Sequence, residues 1–311
     1  MTHAALDAGI NFIDTADAYS RGESEEILAK ALVGRRDRVV LATKCYFPTG
    51  RDVNEGGGSR RWIVRAVEES LRRLGTDSID IFQMHRRDHR TDLEESLSAM
   101  TDLLRDGKIR VIGMSATPAE TLVEAQWIAE RRHLARVRSE QCIYSIFCRT
   151  AESAVFPAAR RYGLGVMTYA PLNSGWLTGK YQRNDQAPEG SRATRAWKET
   201  GRFDPEREPV QRKYDLLDDL QKVAADVGCS LTHLAMAFAA EHPAVSSAIL
   251  GPRTPEHLDD LLAGVDHRLT PETLDRIDEL VPPGTEIDSR DTNAPNPALN
   301  DAAQRRRPTA R

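Results

Sequence analysis

The sequence predicts an α/β protein made of parallel βα units, either closed into a barrel or spread as an open sheet. Three observations carry this. Short apolar runs of strand character alternate with stretches of helical periodicity along most of the chain, the pattern of repeated βα units. Three successive predicted strands end in, or run directly into, a residue capable of chemistry, Asp14, Lys44 and His85, and sites form at the C-terminal ends of parallel strands. A chain of 311 residues can bury a full core, and an α/β barrel usually takes about 250 residues as one domain.

Taken in order, Asn11–Ala16 reads as a strand because of its buried pair Phe12 and Ile13. It hands over to Asp14, to Tyr19 in a polar loop, and to a helix over about Glu23–Val33. Arg38–Lys44, rich in Val and Leu, is the next strand. Ser59 is placed to cap a helix whose apolar face is Ile63, Ala66, Val67, Leu71 and Leu74, and Gly75 to end it. Strand Ile79–His85, helix Asp92–Arg105, strand Val111–Ser115, helix Pro118–Arg131, strand Arg138–Tyr144, helix Ala151–Tyr162 and strand Gly165–Ala170 follow. The polar segment Asn173–Glu208 has no periodicity and reads as a loop over the mouth; loops of that length inside a domain are usually functional. Helices Pro209–Asp226 and Ser230–Glu241, strand Val245–Leu250, and helices Pro255–Ala263 and Pro271–Leu280 complete the ordered part. This gives one domain over 1–282 and a tail, 283–311, rich in Pro, Asn, Asp and Arg and expected to be disordered.

Composition narrows the function classes. A formal net charge of -4 offers no electrostatic footprint for nucleic acid, and only the end Gln304–Arg311 is locally basic. No apolar stretch reaches the roughly 18 residues that a bilayer span needs, and the N-terminus lacks the pattern of a signal peptide. Cys45, Cys142, Cys148 and Cys229 show no metal-ligand spacing, so the expectation is a reduced cytoplasmic protein with buried thiols; the alternative for Cys45 is a thiol at the mouth beside Lys44.

Asp14, Tyr19, Lys44 and His85, embedded in INFIDTADAY, VVLATK and IDIFQMHRRD, resemble the Asp-Tyr-Lys-His tetrad of the aldo-keto reductase superfamily, NAD(P)H-dependent carbonyl reductases on a TIM barrel. The resemblance runs from about Ala5 to about Leu280 and is tightest over Ser59–Asp88. It implies a (β/α)8 TIM barrel. The sequence supplies seven strands, and THAALDAG resembles the last turns of the family's first barrel helix, so the first strand and the N-terminal floor hairpin are expected to be missing. The natural product is then expected to carry about 40 to 60 further residues ahead of Met1, and the 311-residue chain to be poorly soluble or self-associated with weak NADPH turnover.

The chemistry shows why these residue types belong together. Hydride delivery to a carbonyl carbon builds charge on oxygen, and an acid must donate a proton as it does. Tyr19 is the candidate; a free tyrosine has a pKa of about 10, and a Lys44 ammonium held by Asp14 would favour the phenolate. His85 can orient the carbonyl oxygen. The plain alternative is a barrel ion pair, a packed loop aromatic and a strand-end histidine.

The resemblance also implies cofactor residues. Ser115 and Gln141 match the positions that bind the nicotinamide carboxamide, although Ala116 stands where the family has Asn. Tyr169 matches the aromatic that stacks on the nicotinamide, and Leu172 and Gly175 lie in PLNSGWLTGKY, which resembles the pyrophosphate loop. Gly251 and Arg253 fit the adenosine-phosphate site, where His257 replaces the usual Gln and Leu261 the usual Asn. Arg253 suits a 2′-phosphate, which favours NADPH over NADH. Trp176 and Trp197 are candidates for the substrate pocket. No GxGxxG opens a helix after a strand, which argues against a Rossmann dehydrogenase. Two classes remain: an NADPH-dependent reductase of a small aldehyde or ketone, or a catalytically silent nucleotide-binding relative acting through a protein partner, as the family's potassium-channel β subunits resemble.

Overall fold

The computed structural model describes residues 1–183, 185–194, 200–292 and 302–306. After helix α1 (Thr2–Asp7) the chain alternates β1 (Phe12–Asp14), α2 (Glu23–Ala31), β2 (Val40–Cys45), α3 (Arg60–Leu74), β3 (Ile79–Met84), α4 (Leu93–Arg105), β4 (Ile109–Ser115) and α5 (Ala119–Arg132). It continues through β5 (Ser139–Ile143), α6 (Val155–Tyr162), β6 (Gly165–Tyr169), α7 (Glu208–Asp226), α8 (Leu231–Glu241), β7 (Ser247–Ala248), α9 (Pro255–Ala263) and α10 (Pro271–Leu280). The strands form one parallel sheet in sequence order, β1 to β7, curled into an incomplete barrel.

Local chemistry sets the element ends. Ser59 accepts a hydrogen bond from the Trp62 N–H at 3.3 Å at the start of α3, and Gly75 closes it at φ 62, a left-handed turn that a Cβ would penalise. Between these caps Trp62, Ile63, Ala66, Val67, Leu71 and Leu74 are buried, each large one contributing about 1.5–3 kcal/mol. Asp92, Ser230, Thr254 and Thr270 cap α4, α8, α9 and α10 in the same way.

The two flanking strands are shorter than their sequence runs. Val245–Leu250 yields only Ser247–Ala248, and Asn11–Ala16 only Phe12–Asp14, because each pairs on one side only. Among the described residues no backbone pairing joins β1 to β7. The gap between them is an apolar cleft of about 560 Å³, lined by residues that include Leu6, Ile13, Asp14, Ala237, Ile249 and Leu258.

Two expectations are corrected. The tail drawn from residue 283 is held through Asp291: Thr285 O accepts from Arg149 N at 2.7 Å, Asp288 pairs with Arg207 at 2.7 Å, and Asp291 pairs at 2.7 Å with Lys213, which is fully buried. Asp291 is the counter-ion of a buried lysine and Asp288 that of Arg207, which composition alone does not reveal. Trp176, expected at the substrate pocket, is a core residue, packed against Tyr181, Phe203 and Tyr214 with ring centroids 5.1 to 5.4 Å away. Trp197 lies outside the described residues. Among the described residues no single helix is long and apolar enough to cross a membrane.

Candidate active site

Strands β1 and β2 and the loop after β1 bring three of the four expected residues into contact. Lys44, fully buried, donates to Asp14 Oδ2 in a short contact and to the Thr15 carbonyl at 2.8 Å, and its Nζ stands 3.5 Å from the Tyr19 hydroxyl. A buried ammonium needs this degree of pairing, because removing a charge from water costs several kcal/mol unless it is compensated. Tyr19 sits in a tight turn in which Ser20, Arg21 and Gly22 all have positive φ, between 48 and 97°. The turn projects the phenol over the ion pair while leaving it 41% exposed, so a solvent-borne substrate can reach it.

His85 follows β3 directly, and its ring lies edge-on to Tyr19 with centroids 5.6 Å apart. Burial, with the Lys44 and Arg86 cations nearby, holds the imidazole down at about 3, so it is neutral near pH 7. Its Nδ1 is buried without a partner among the described residues, leaving a polar atom for a ligand to satisfy. Phe47 packs on the other side of the His85 ring at 4.8 Å, and the Arg86 guanidinium covers Phe47 at 5.7 Å. The mouth is therefore an aromatic wall with two cations behind it.

Behind the Tyr19 turn lies a second buried polar layer. Glu25 accepts from Thr43 Oγ1 at 2.6 Å and from Arg73 Nε at 2.7 Å, tying α2 and α3 to the strand that carries Lys44. Asp17 is buried beside this pair; burial and the Glu25 charge, partly offset by Arg73, push its carboxyl up to about 7. Cys45 faces this outer layer and not the mouth. Its thiol is buried against Met84, and burial, with Asp17 nearby, pushes it well up.

The expected cofactor residues gather at the other end of the mouth. Tyr169, Leu172, Gly175, Gly251, Arg253 and His257 line a single cavity of about 570 Å³. Ser115 and Gln141 are partners in register on β4 and β5; the Tyr169 hydroxyl is buried without a partner. Just after Tyr169 the backbone turns sharply, with Ala170, Asn173 and Ser174 at φ 44 to 62°. Such turns aim N–H groups into a concavity suited to anions.

Lys180 and Arg192, which sequence reasoning passed over, line the same cavity. Burial lowers the pKa of both; the nearby Arg253 lowers them further, as does the repulsion of Arg192 on Lys180. The lining carboxylate of Asp260 faces His233 at 3.2 Å. Three cations lining one concavity fit a phosphate-bearing group, as the nucleotide implied by the family resemblance would be. Arg253 also donates to the Gly190 carbonyl at 2.8 Å, tying the long loop to the end of β7.

Gln83 was missed as well. It stands two residues before His85, on the same face of β3 by strand alternation, and donates to Asp14 Oδ1 at 3.1 Å; Gln141 donates to the same oxygen at 2.8 Å. Ala116, where an Asn was expected, has φ 50, a conformation that Asn tolerates far better than Ala.

Comparison with known proteins places the chain in a family. The aldo/keto reductase family model matches residues 1–282. The chain is 37% identical over 296 residues to the uncharacterized oxidoreductase YrpG of Bacillus subtilis, covering 91% of this chain and 86% of that protein. It is 35% identical over 287 residues to a "Probable voltage-gated potassium channel subunit beta" of Oryza sativa subsp. japonica, covering 90% and 86% respectively. A protein of the same description from Arabidopsis thaliana is 33% identical over 281 residues, covering 88% of this chain and 84% of its own. With a family model matched across most of its length and relatives aligned over nearly all of it, this chain belongs to the aldo/keto reductase family.

Proposed function

We propose that this oxidoreductase reduces an aldehyde or ketone to the alcohol with NADPH, and that Tyr19 is the proton donor. The observation that carries the reading is Lys44 Nζ, held by Asp14 and Thr15 and pointing at the Tyr19 hydroxyl from 3.5 Å. A fixed ammonium stabilises the phenolate left when Tyr19 gives up its proton. Neutral His85 donates or accepts one hydrogen bond at the substrate oxygen, which positions the carbonyl beside the phenol. A bound nicotinamide supplies the hydride; Ser115, Gln141 and Tyr169 would hold that ring. Leu172, Gly175, Lys180, Arg192, Gly251, Arg253 and His257 would hold the phosphates and adenosine. Arg253, with a guanidinium shaped for phosphate, favours NADPH over NADH.

The Phe47 face beside His85 suits a small carbonyl with an apolar or aromatic body. The test is NADPH consumption across a panel of aldehydes and ketones, with NADPH affinity measured separately by fluorescence quenching. Turnover with at least one carbonyl supports the reading. Binding without turnover supports the second one, in which the chain is a nucleotide-binding subunit of a larger assembly, as the names of the channel relatives suggest.

A further inference from the structure

Asp14 is gripped at both oxygens. Oδ2 pairs with Lys44, while Oδ1 accepts from two glutamine amides, Gln83 at 3.1 Å and Gln141 at 2.8 Å. A carboxylate can only accept, so both amide nitrogens must face it. Gln83 is fully buried and its Oε1 has no partner among the described residues. Such an orphan is destabilising, and methionine would fill a similar volume without it, so packing gives no reason for an amide here. The neighbouring strand makes room for it: a Cβ at Gly113 would come within 2.8 Å of Gln83 Cγ.

The two glutamines differ in what else they face. Gln141 is the residue proposed to meet the nicotinamide carboxamide, whereas among the described residues the Gln83 side chain bonds only to Asp14. We propose that Gln83 is a positioning residue for the proton donor: it fixes one oxygen of Asp14 so that the other stays on Lys44 beneath Tyr19, even when Gln141 turns its amide to the cofactor. This rests on the function proposed above and adds a residue to it. Without the Gln83 donor, Asp14 can rotate and let the Lys44 ammonium drift from beneath Tyr19, and its less shared charge repels a phenolate more strongly. Both effects disfavour the phenolate form of Tyr19.

The experiment compares wild type, Gln83→Met and Gln83→Glu in the full chain, each also carrying Tyr19→Phe as a blank. It reads kcat and KM against pH, NADPH affinity by fluorescence quenching, and the Tyr19-dependent tyrosinate absorbance against pH. Gln83→Met is expected to lower kcat by about 10- to 100-fold, the scale of a misplaced catalytic group, with KM and NADPH affinity within about twofold. Its tyrosinate signal should rise at higher pH than in wild type. Gln83→Glu should regain activity as pH falls, because a protonated carboxyl can donate to Asp14 as the amide did, and lose it as pH rises. A wild-type pH profile and kcat in Gln83→Met would overturn the proposal. So would equal losses in both variants at every pH with a lowered melting temperature, the mark of a packing residue. If wild type turns over no carbonyl, the function reading fails by itself. The tyrosinate titration then still decides the inference: a shift in Gln83→Met supports it and an unmoved curve overturns it.

Discussion

Strands β2, β3 and β4 run six or seven residues and are each paired on both sides, whereas β7 runs two residues and is paired on one side. The first group carries Lys44, Gln83, His85 and Ser115 on or just beyond its C-terminal ends. The second carries the Gly251–Arg253 turn. A doubly paired strand fixes its last side chain through ladders on both edges, so Lys44, Gln83 and Ser115 stand on a rigid frame; Asp14, on the singly paired β1, is instead held by its bonds to Lys44, Gln83 and Gln141. The end proposed to take the nucleotide can tolerate a looser frame, because a long anionic ligand would be gripped by charges on flexible stems such as Lys180, Arg192 and Arg253.

The comparison breaks most visibly at Tyr19. Tyr19→Phe keeps the ring over the ion pair and removes only the hydroxyl, so reduction should fall by about 10²- to 10⁴-fold while NADPH affinity stays near wild type. Retention of more than a few per cent of the rate would mean that the phenol held over the Lys44 ion pair is not the acid.

On the loosely framed side a smaller, selective loss is expected. Arg253→Ala should weaken NADPH roughly 10- to 50-fold, as loss of a charge-assisted phosphate contact does, and weaken NADH far less. Equal weakening of both cofactors in a binding titration would show that the residue acts only through its tie to Gly190.

Asp17 tests the wall without touching the chemistry. Its carboxyl is pushed up to about 7 in the folded chain by burial and by Glu25, against about 3.9 when unfolded. Between those values the folded state holds a proton that the unfolded state has lost, so stability falls as pH rises from about 4 to 7. Asp17→Asn should remove that slope, gaining about 1–2 kcal/mol at pH 8 and nothing near pH 4. Parallel denaturation curves for variant and wild type at both pH values would refute it.

The smallest effect belongs to Ala116, held at φ 50. Ala116→Asn should raise stability by about 0.5–1 kcal/mol, since Asn accepts a left-handed backbone better than Ala, and tighten nicotinamide binding slightly. An unchanged or lowered midpoint would count against backbone strain there.

The sequence made the wall legible because its signals are local. Ser59 and Gly75 bracket α3 as capping chemistry requires, and strand alternation put Asp14, Lys44 and His85 at one mouth. The same alternation puts Gln83 beside His85, yet its bond to Asp14 spans 69 residues of chain and one intervening strand and has no local mark. Lys180 and Arg192 sit in an aperiodic loop, where a basic residue reads as solvated until the fold brings Arg253 beside it. Trp176 was misplaced for the converse reason: nothing around it announces the partners Phe203 and Tyr214. Residues 283–291 read as unstructured because what holds them, buried Lys213 and Arg149, lies far away in sequence.

The cleft between β1 and β7 reaches Asp14 itself, so the ion pair beneath Tyr19 has a side wall whose contents are not fixed by covalent structure. Attraction between two charges scales inversely with the effective dielectric between and around them, changing several-fold between a protein-like medium and water. Water in the cleft slackens the hold of Asp14 on Lys44; an apolar occupant tightens it. The strength of the pair therefore depends on what lies along the flank of the sheet as well as on what enters by the mouth.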